Sequence, residues 1–181
     1  MENPPNQFIN PDDIINQLGV SRNSVVADFG CGSGYFSIPL AQFIGEEGKV
    51  YALDVLASAL ESVESKAKIH GLSNIITKRV NLEKESGSKF SDESVDWVIL
   101  KDVLFQNNKK DIILKEAYRV LKKSGKLLII EWNEKAGTFG PGSDLKVSSE
   151  GLKKLIAGGG FKIEKEISAG DYHYGFIAAK N

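Results

Sequence analysis

The chain has 181 residues, and its 23 basic and 24 acidic residues give a formal net charge of −1 at pH 7. This balance argues against a nucleic-acid partner held by broad electrostatic attraction, because such proteins are strongly basic. A single cysteine, Cys31, excludes an intrachain disulfide and a multi-cysteine metal site. No stretch approaches the roughly 20 apolar residues of a membrane span, and the first residues are polar. We expect one cytoplasmic domain over residues 1–181, without a membrane partner or a metal ion.

Short apolar runs alternate with amphipathic stretches along most of the chain. In the N-terminal segment 1–20, Pro11 and Gly19 mark the start and the end of a short predicted helix. In the core, 21–181, helices are predicted over 35–44, 58–70 and 111–122, with Gly125 after the last. Five strands are predicted, over 25–29, 50–54, 75–80, 95–100 and 126–132.

The C-terminal part departs from this alternation. Ser148 is a candidate N-cap for a helix that extends to Ile156. Two strands, 161–167 and 174–179, follow with only a short connection, so we expect them to be antiparallel. The earlier alternation of apolar strands and helices indicates a parallel sheet that is covered on both faces. The pattern therefore predicts an α/β protein that ends in a hairpin.

The most specific motif, DFGCGSGY, covers residues 28–35, where the first strand meets a helix. Glycines let a ligand approach the backbone closely, and the N–H groups at a helix start can receive oxygen atoms. The dinucleotide fingerprint Gly-x-Gly-x-x-Gly/Ala does not fit, because Tyr35 or Ser37 occupies its last position. A carboxylate at Asp28 suits a ligand with an ammonium group better than a pyrophosphate. A tight turn without a ligand is the alternative.

A second acidic residue, Asp54, ends the second predicted strand. At the carboxyl edge of a sheet, a carboxylate in this position can accept hydrogen bonds from both hydroxyl groups of a ribose. A turn or helix-capping aspartate is the other interpretation. Asp54 therefore supports a ligand site beside the glycine turn.

Residues 25–36 and 50–55 resemble the first two motifs of class I S-adenosylmethionine-dependent methyltransferases, and the order of elements extends the resemblance over roughly 20–180. The resemblance implies a Rossmann-like three-layer α/β sandwich. Its seven-stranded sheet would be mostly parallel, with an antiparallel C-terminal hairpin strand. The implied cofactor is S-adenosylmethionine, and the product is S-adenosylhomocysteine. The subgroup that the chain most resembles is the small methyltransferase-domain proteins that act on small molecules.

The resemblance also implies roles for the residues of the glycine turn. Asp28 would lie near the ammonium group of the methionine moiety, directly or through water. Gly30, Gly32 and Gly34 would form the backbone surface beside the methionine and the ribose. Cys31, between the glycines, is included in this cofactor-binding turn and is expected to pack as a small structural residue.

Further along the chain, the resemblance implies that Asp54 holds the ribose hydroxyls and that Val55 covers one face of the adenine. Asn81 and Leu82 stand where the family often has an acidic residue and an apolar neighbour. Asn81 departs from the acid, but its amide oxygen can still accept an N–H. In the segment 101–105, Lys101 is the residue expected to face the cofactor, with a solvated lysine as the equal alternative.

Methyl transfer from a sulfonium is an in-line displacement, for which the protein mainly supplies proximity, alignment and exclusion of water. The sequence therefore assigns no catalytic residue. His173 is a candidate base, although a surface or packed histidine is the favoured interpretation, and His70 is expected to be structural. Glu131 and Trp132 end the fifth strand and are candidates for pocket lining.

The predicted function is transfer of a methyl group to a small-molecule acceptor. The segment 101–104 lacks the Asn/Asp-Pro-Pro-aromatic motif of enzymes that methylate amino groups in nucleic acids. A protein or RNA methyltransferase of the same fold and a non-catalytic S-adenosylmethionine-binding module are alternatives. A nicotinamide-dependent oxidoreductase is a further alternative, which the spacing of the glycines disfavours. Residues 1–20 and the loop 133–147 are expected to form a lid over the pocket.

Overall fold

A computed structural model describes residues 8–181, apart from the side chains of residues 135 and 138. The strands are β1 (Val25–Phe29), β2 (Lys49–Asp54), β3 (Ile75–Arg79), β4 (Val95–Lys101), β5 (Leu121–Trp132), β6 (Phe161–Ser168) and β7 (His173–Lys180). The helices are α1 (Pro11–Leu18), α2 (Ser37–Ile44), α3 (Ala57–Ile69), α4 (Lys110–Val120) and α5 (Ser149–Gly158). Two 3₁₀ segments cover Leu104–Gln106 and Glu134–Phe139.

The seven strands form one sheet in the order β3-β2-β1-β4-β5-β7-β6. Strands β1 to β5 are parallel, and β7 is antiparallel to both β5 and β6. The predicted mostly parallel sheet with an antiparallel C-terminal hairpin is confirmed. Strand order changes direction between β1 and β4, and ligands of α/β proteins bind at the carboxyl edge beside such a point.

Alternating side chains of the strands face two separate hydrophobic clusters, so the sheet is covered on both faces. One cluster contains Val26, Val50, Ile99 and Leu128 from the strands, together with buried residues of α1 and α2. The other contains Ala27, Leu53, Val98 and Leu127, together with buried residues of α4 and α5. This arrangement confirms the predicted three-layer sandwich.

The predicted boundaries of α1 and the predicted start of α5 are confirmed by their caps, and α5 extends two residues past the predicted end, to Gly158. The side chain of Asn10 accepts a hydrogen bond from the backbone of Asp12 before α1, and Gly19 ends that helix in a left-handed conformation. Ser148 accepts from the N–H of Gly151 at 3.1 Å at the start of α5. Helix α1 buries Ile14, Ile15 and Leu18, so this part of the N-terminal segment belongs to the core.

The predicted end of the fourth helix is wrong. The sequence predicts a helix to Lys122 that Gly125 closes, but α4 ends at Val120 and β5 begins at Leu121. Leu121 takes an extended conformation, pairs with Val95 on β4 and is fully buried, so sheet pairing replaces another helical turn. Lys122 then forms an ion pair with Asp96 at 2.8 Å instead of interacting with the helix dipole.

Candidate active site

The glycine turn after β1 forms one wall of a cavity at the carboxyl edge of the sheet. The N–H groups of Gly30 and Cys31 donate to the carbonyl oxygen of Leu53 at 2.8 and 2.9 Å, which ties the turn to β2. At Gly30, with φ +73°, an added Cβ would lie 2.7 Å from Cγ2 of Val103, so a side chain cannot fit there. An added Cβ at Gly32 would meet no atom within 4 Å, because Gly32 borders the open cavity.

Asp54 ends β2 and lies beside the same turn. Its Oδ2 accepts a hydrogen bond from the N–H of Gly32 at 3.0 Å, and its Oδ1 accepts from the N–H of Leu56 at 2.9 Å. Each carboxylate oxygen has further acceptor capacity for a ligand hydroxyl. Val55 lies next to it on the cavity and is 53% exposed despite its apolar side chain. An apolar residue in this position can cover a flat ring.

The cavity has a volume of about 550 Å³, which is within the usual range for small-molecule sites. Seven of the predicted cofactor-binding residues line it: Gly30, Gly32, Asp54, Val55, Asn81, Leu82 and Lys101. Asn81 follows β3, and its Oδ1 accepts a hydrogen bond from the N–H of Glu83 at 2.9 Å. The cavity therefore collects residues from the loops after β1, β2, β3 and β4, as parallel strands permit.

Three predicted residues lie behind this lining. Asp28 is buried, and its Oδ2 accepts a hydrogen bond from the hydroxyl of Ser37 at 2.6 Å. Gly34 packs against α3, where an added Cβ would lie 3.1 Å from Cγ2 of Val63. Cys31 is buried with Val63 in a small apolar cluster, and burial raises the pKa of its thiol. Cys31 thus packs as a small structural residue, as expected.

The pKa of Asp28 depends on the charges of the site, although Asp28 lies behind the cavity wall. Burial raises the pKa of its carboxyl group to about 6, and the hydrogen bond from Ser37 opposes that shift. The negative charge of Asp54 raises the pKa of Asp28 further, whereas the positive charge of Lys101 lowers it. A cation placed near Asp28 would favour its ionised form in the same way.

Lys101 and Asp102 form the wall that follows β4. Lys101 lines the cavity, forms an ion pair with the carboxylate of Asp102 and lies 5.5 Å from the ring centre of Tyr35. Asp102 also lines the cavity, and its φ of +56° is a left-handed conformation that is uncommon for a residue with a Cβ. Such conformations are often found at functional sites.

A polar group of four residues, two buried and two half-buried, continues from Asp102. We call it the acid–histidine cluster: Asp102, Glu131, Asn133 and His173. Nε2 of His173 is hydrogen-bonded to Oδ2 of Asp102 at 3.3 Å and lies 3.2 Å from Oδ1. Glu131 is fully buried, and its Oε1 accepts from the N–H of Leu104 at 2.7 Å. Among the described residues, one buried atom of each member has no hydrogen-bond partner: Asp102 Oδ1, Glu131 Oε2, Asn133 Oδ1 and His173 Nδ1.

The acid–histidine cluster contains one carboxyl group with a strongly shifted pKa. Burial raises the pKa of Glu131 to about 8, although backbone hydrogen bonds, first of all that from Leu104, lower it. The negative charge of Asp102 raises the pKa of Glu131 further. Glu131 therefore holds a proton at neutral pH, and the cluster contains a neutral acid beside an ionisable pair.

The sequence does not predict that the four residues of the acid–histidine cluster lie together. It identifies Glu131 and Trp132 as pocket lining, but neither residue lines the cavity, and it favours a packed or surface histidine at position 173. The packed interpretation holds, since the rings of Trp132 and His173 lie 4.0 Å apart between their centres. The pairing of His173 with Asp102 depends on the position of β7 beside β5, where Trp132 and His173 are register partners. The predicted hairpin was the available signal, but its neighbour in the sheet was not specified.

The two segments expected to form a lid meet in the structure. The rings of Phe8 and Phe139 lie 6.2 Å apart, and each contacts Tyr172, with centre distances of 5.1 and 5.2 Å. The hydroxyl of Tyr35, which lines the cavity, donates to the carbonyl oxygen of Ile9. Part of the predicted lid, residues 1–7, lies outside the described residues.

Two further properties concern the described residues 8–181. None of their helices combines the length and the apolar character that crossing a bilayer requires. Their histidine, cysteine, aspartate and glutamate side chains include no group of three or more that could hold a metal ion.

Comparison with known proteins identifies relatives in sequence and in structure. The chain is 34% identical over 121 residues to a ubiquinone/menaquinone biosynthesis C-methyltransferase UbiE of Haemophilus ducreyi, covering 66% of this chain and 46% of that protein. It is 31% identical over 122 residues to a demethylmenaquinone methyltransferase of Geobacillus stearothermophilus, covering 67% of this chain and 51% of that protein. The chain thus spans about half the length of these curated relatives.

The fold also matches a solved structure of a SAM-dependent methyltransferase from Aquifex aeolicus. The TM-score is 0.88 at 24% identity, over 96% of this chain and 91% of that one. Residues 20–161 match the family model described as a methyltransferase domain. The predicted resemblance is confirmed: the chain belongs to the methyltransferase domain family of class I, S-adenosylmethionine-dependent methyltransferases.

Proposed function

We propose that this chain transfers a methyl group from S-adenosylmethionine to a small-molecule acceptor. The observation that carries the proposal is the cavity at the carboxyl edge, where the open side of Gly32 lies beside the carboxylate of Asp54. S-adenosylmethionine bound there would supply a methyl group that its sulfonium makes electrophilic. The chain's own contribution is to bind, align and exclude water.

The predicted cofactor residues have the chemistry that this cofactor needs. Asp54 accepts the ribose hydroxyls, since its carboxylate retains acceptor capacity beside the cavity. Val55 and Leu82 are apolar and lie where they can cover the adenine, with the amide oxygen of Asn81 as acceptor for its amino group. Lys101 closes the same cavity from the loop after β4.

The glycine turn serves the methionine part of the cofactor. Gly30 and Gly32 present backbone rather than side chains to the ligand, and Gly34 and Cys31 pack behind them against α3. Asp28 provides the negative charge that balances the methionine ammonium from behind the turn. Its pKa of about 6 leaves it able to ionise when a cation binds.

We infer a quinone-type ring as the first acceptor to test. The names of two relatives refer to ubiquinone and menaquinone biosynthesis and to demethylmenaquinone, and each is matched over about two thirds of this chain. The net charge of −1 fits a small acceptor better than a polyanion. A cytoplasmic location stays a prediction.

We further infer that the residues directly before α1, residues 8–10, and the loop 133–147 act together as a closing element, whereas α1 stays packed in the core. The contact between Phe8 and Phe139 links the two segments, and the hydrogen bond from Tyr35 to Ile9 connects the first of them to the cavity. A closing element would exclude water from the transferring methyl group.

The test measures where the methyl group goes. The purified chain would be incubated with S-adenosylmethionine carrying a tritiated methyl group and a cell extract, which is then separated into protein, RNA and small-molecule fractions. A parallel reaction would use 1,4-naphthohydroquinone under reducing conditions as a defined acceptor. We expect label in the small-molecule fraction and methylated naphthohydroquinone in the parallel reaction.

Each other outcome identifies a different function. Label in the protein or RNA fraction would indicate that the chain is a protein or RNA methyltransferase of the same fold. Binding of S-adenosylmethionine without transfer to any fraction would indicate a binding module. No binding of S-adenosylmethionine by the folded chain, measured by equilibrium dialysis, would contradict the proposed function itself.

A further inference from the structure

We propose that the Asp102–His173 pair binds a hydroxyl group of the methyl acceptor and takes up its proton, so that the acceptor is a phenol, a hydroquinone or an enol. This inference rests on the proposed function and names the chemistry of its acceptor. Asp102 is the member that touches the acceptor, and His173 is the positioning residue behind it.

The position of Asp102 supports this role. It lines the cavity on the loop after β4, next to Val103, whose side chain packs against Gly30 of the glycine turn. The left-handed backbone at Asp102 turns the chain directly after the strand, while its N–H still donates to the carbonyl oxygen of Ile130 at 2.9 Å. The carboxylate thus borders the cavity on the side of the turn that we assign to the methionine moiety.

The unpartnered atoms of the acid–histidine cluster indicate a ligand. Buried polar atoms in proteins are nearly always hydrogen-bonded, because leaving them unpaired is energetically costly. In this cluster, Glu131 Oε2 and His173 Nδ1 are buried without a hydrogen-bond partner among the described residues, and Asp102 Oδ1 has the imidazole of His173 at 3.2 Å as its one close polar neighbour among them. A ligand hydroxyl at Asp102 would supply a partner where the cluster meets the cavity.

The groups that surround Asp102 come from its own segment and from β5 and β7. On its own segment Lys101 pairs with its carboxylate, and from β7 the imidazole of His173 lies 3.2 Å from Oδ1. On β5, Glu131 is held neutral by burial, so it adds no negative charge near neutral pH. Further out, Asp28 on β1 interacts with Lys101. The pKa of Tyr174 on β7 is raised by burial and, at the high pH where a tyrosine ionises, by the negative charge that Glu131 then carries.

The step balances in atoms and charge. The acceptor's O–H bond breaks, and its proton passes to the Asp102–His173 pair, which leaves an oxyanion whose electrons activate the oxygen or the conjugated ring carbon. The acceptor then forms its bond to the methyl group, and the electron pair of the broken carbon–sulfur bond stays on sulfur. Where carbon is methylated, the proton on that carbon passes to water afterwards, and the oxygen regains a proton from the Asp102–His173 pair, which restores the ring or the enol.

The test compares two probes that differ by one hydroxyl proton. Binding of 1-naphthol and of 1-methoxynaphthalene would be measured by fluorescence on the chain saturated with S-adenosylhomocysteine. We expect the wild-type chain to bind 1-naphthol about tenfold more tightly, because a hydrogen bond to a charged group is one of the stronger kinds. Asp102→Asn should reduce that preference several-fold, since it keeps the shape but removes the charge.

The variants are chosen so that folding does not decide the result. Asparagine tolerates a left-handed backbone as well as aspartate does, so Asp102→Asn preserves the turn. Asp111→Asn, on the exposed start of α4, is the matched aspartate control. His173→Gln keeps an N–H donor for Asp102 but cannot take up the proton, and His70→Gln, exposed at the end of α3, is its control.

The expected results separate catalysis from structure. With 1,4-naphthohydroquinone, His173→Gln should lower kcat with little change in KM, because Asp102 loses the imidazole that positions it. A wild-type chain without preference for 1-naphthol, or an Asp102→Asn variant that keeps the preference, would overturn the inference. If Asp102→Asn instead lowers Tm and S-adenosylhomocysteine affinity while the preference persists, the pair is structural and the inference is likewise wrong.

A failure of this inference can be told apart from a failure of the proposed function. If the wild-type chain does not bind S-adenosylhomocysteine or S-adenosylmethionine, the proposed function fails. If it binds them and transfers label to small molecules but shows no hydroxyl preference, only the role of Asp102 and His173 is rejected.

Discussion

At the scale of single residues, the carboxylate of Asp54 both holds the backbone of its own site and faces the cavity. It accepts hydrogen bonds from Gly32 and Leu56, and it offers its remaining acceptor capacity to the cavity. We expect Asp54→Ala to weaken S-adenosylhomocysteine binding roughly 10- to 100-fold, because charged hydrogen bonds to the ribose and the order of the turn are both lost. Isothermal titration calorimetry measures this affinity.

The fold should survive the Asp54→Ala substitution, since the side chain lies at a cavity rather than in the core. We expect Tm to fall by no more than about 2–4 °C, the effect of about 1 kcal/mol in a chain of this size. Asp111→Ala, on the exposed start of α4, should leave the affinity unchanged. Unchanged affinity in Asp54→Ala would remove the ribose assignment.

Asp28 predicts a pH dependence of cofactor binding. Its pKa of about 6 means that the carboxyl group is largely protonated below that pH in the free protein. An ammonium group favours the ionised form, so binding should release a proton and weaken as pH falls through about 6. Calorimetric titration with S-adenosylhomocysteine from pH 5 to 8 should show this slope, and Asp28→Asn should bind more weakly with a flatter profile. An equally steep slope in Asp28→Asn would assign the effect to another group.

At the scale of elements, the aromatic contact between the N-terminal segment and the loop after β5 predicts a role in acceptor binding. Phe139 contacts Phe8 and Tyr172, although it is itself largely exposed. We expect Phe139→Ala to raise the KM for 1,4-naphthohydroquinone about 2- to 10-fold, the effect of losing an aromatic pair. The S-adenosylhomocysteine affinity should stay the same.

A second exposed phenylalanine provides the control for this prediction. Phe43 lies on α2 and does not line the cavity, so Phe43→Ala should change neither quantity. If Phe139→Ala weakens S-adenosylhomocysteine and leaves the KM unchanged, the loop 133–147 belongs to the cofactor site and does not close over the acceptor.

The same elements show what local sequence can predict. The caps at Asn10 and Ser148 are determined by residues within three positions, so α1 and α5 could be predicted closely. The end of α4 could not, because Leu121 is extended through its pairing with Val95, 26 positions away. Strand pairing of this kind depends on the assembled sheet rather than on local propensity.

At the scale of the whole molecule, the candidate site also has a part that local sequence predicts and a part that depends on the assembled sheet. The residues near Gly32 and Asp54 belong to compact motifs at strand ends, and parallel strands bring such ends to one edge. The pairing of Asp102 with His173 joins residues 71 positions apart, and it required the place of β7 in the sheet. Sequence reasoning therefore predicted residues that line one side of the cavity and missed the acid–histidine cluster.

Glu131 predicts a pH dependence of the stability of the whole fold. Its pKa is raised from 4.5 to about 8 in the folded protein by burial. Between these values the unfolded chain is ionised while the folded chain keeps its proton, so the folded state binds more protons. The contribution of Glu131 to the free energy of unfolding must then decrease as pH rises from about 4.5 to 8, and become constant above it.

The variant Glu131→Gln isolates this contribution. Glutamine keeps an oxygen for the N–H of Leu104 but cannot ionise, so the penalty at high pH is absent. Urea unfolding at several pH values should show the stability of Glu131→Gln rising relative to wild type between pH 5 and 8. The relative gain should be on the order of 4 kcal/mol, from 1.36 kcal/mol per pKa unit.

Subtracting the two proteins at each pH removes the contributions of the groups that do not interact with Glu131, so the difference reports on Glu131 and its coupling to its neighbours. Glu46→Gln, at an exposed position after α2, should track wild type across the same range. A difference between Glu131→Gln and wild type that stays constant with pH would mean that Glu131 is already ionised in the folded protein. In that case Glu131 would add a second carboxylate charge to the acid–histidine cluster, beside the Lys101–Asp102 ion pair.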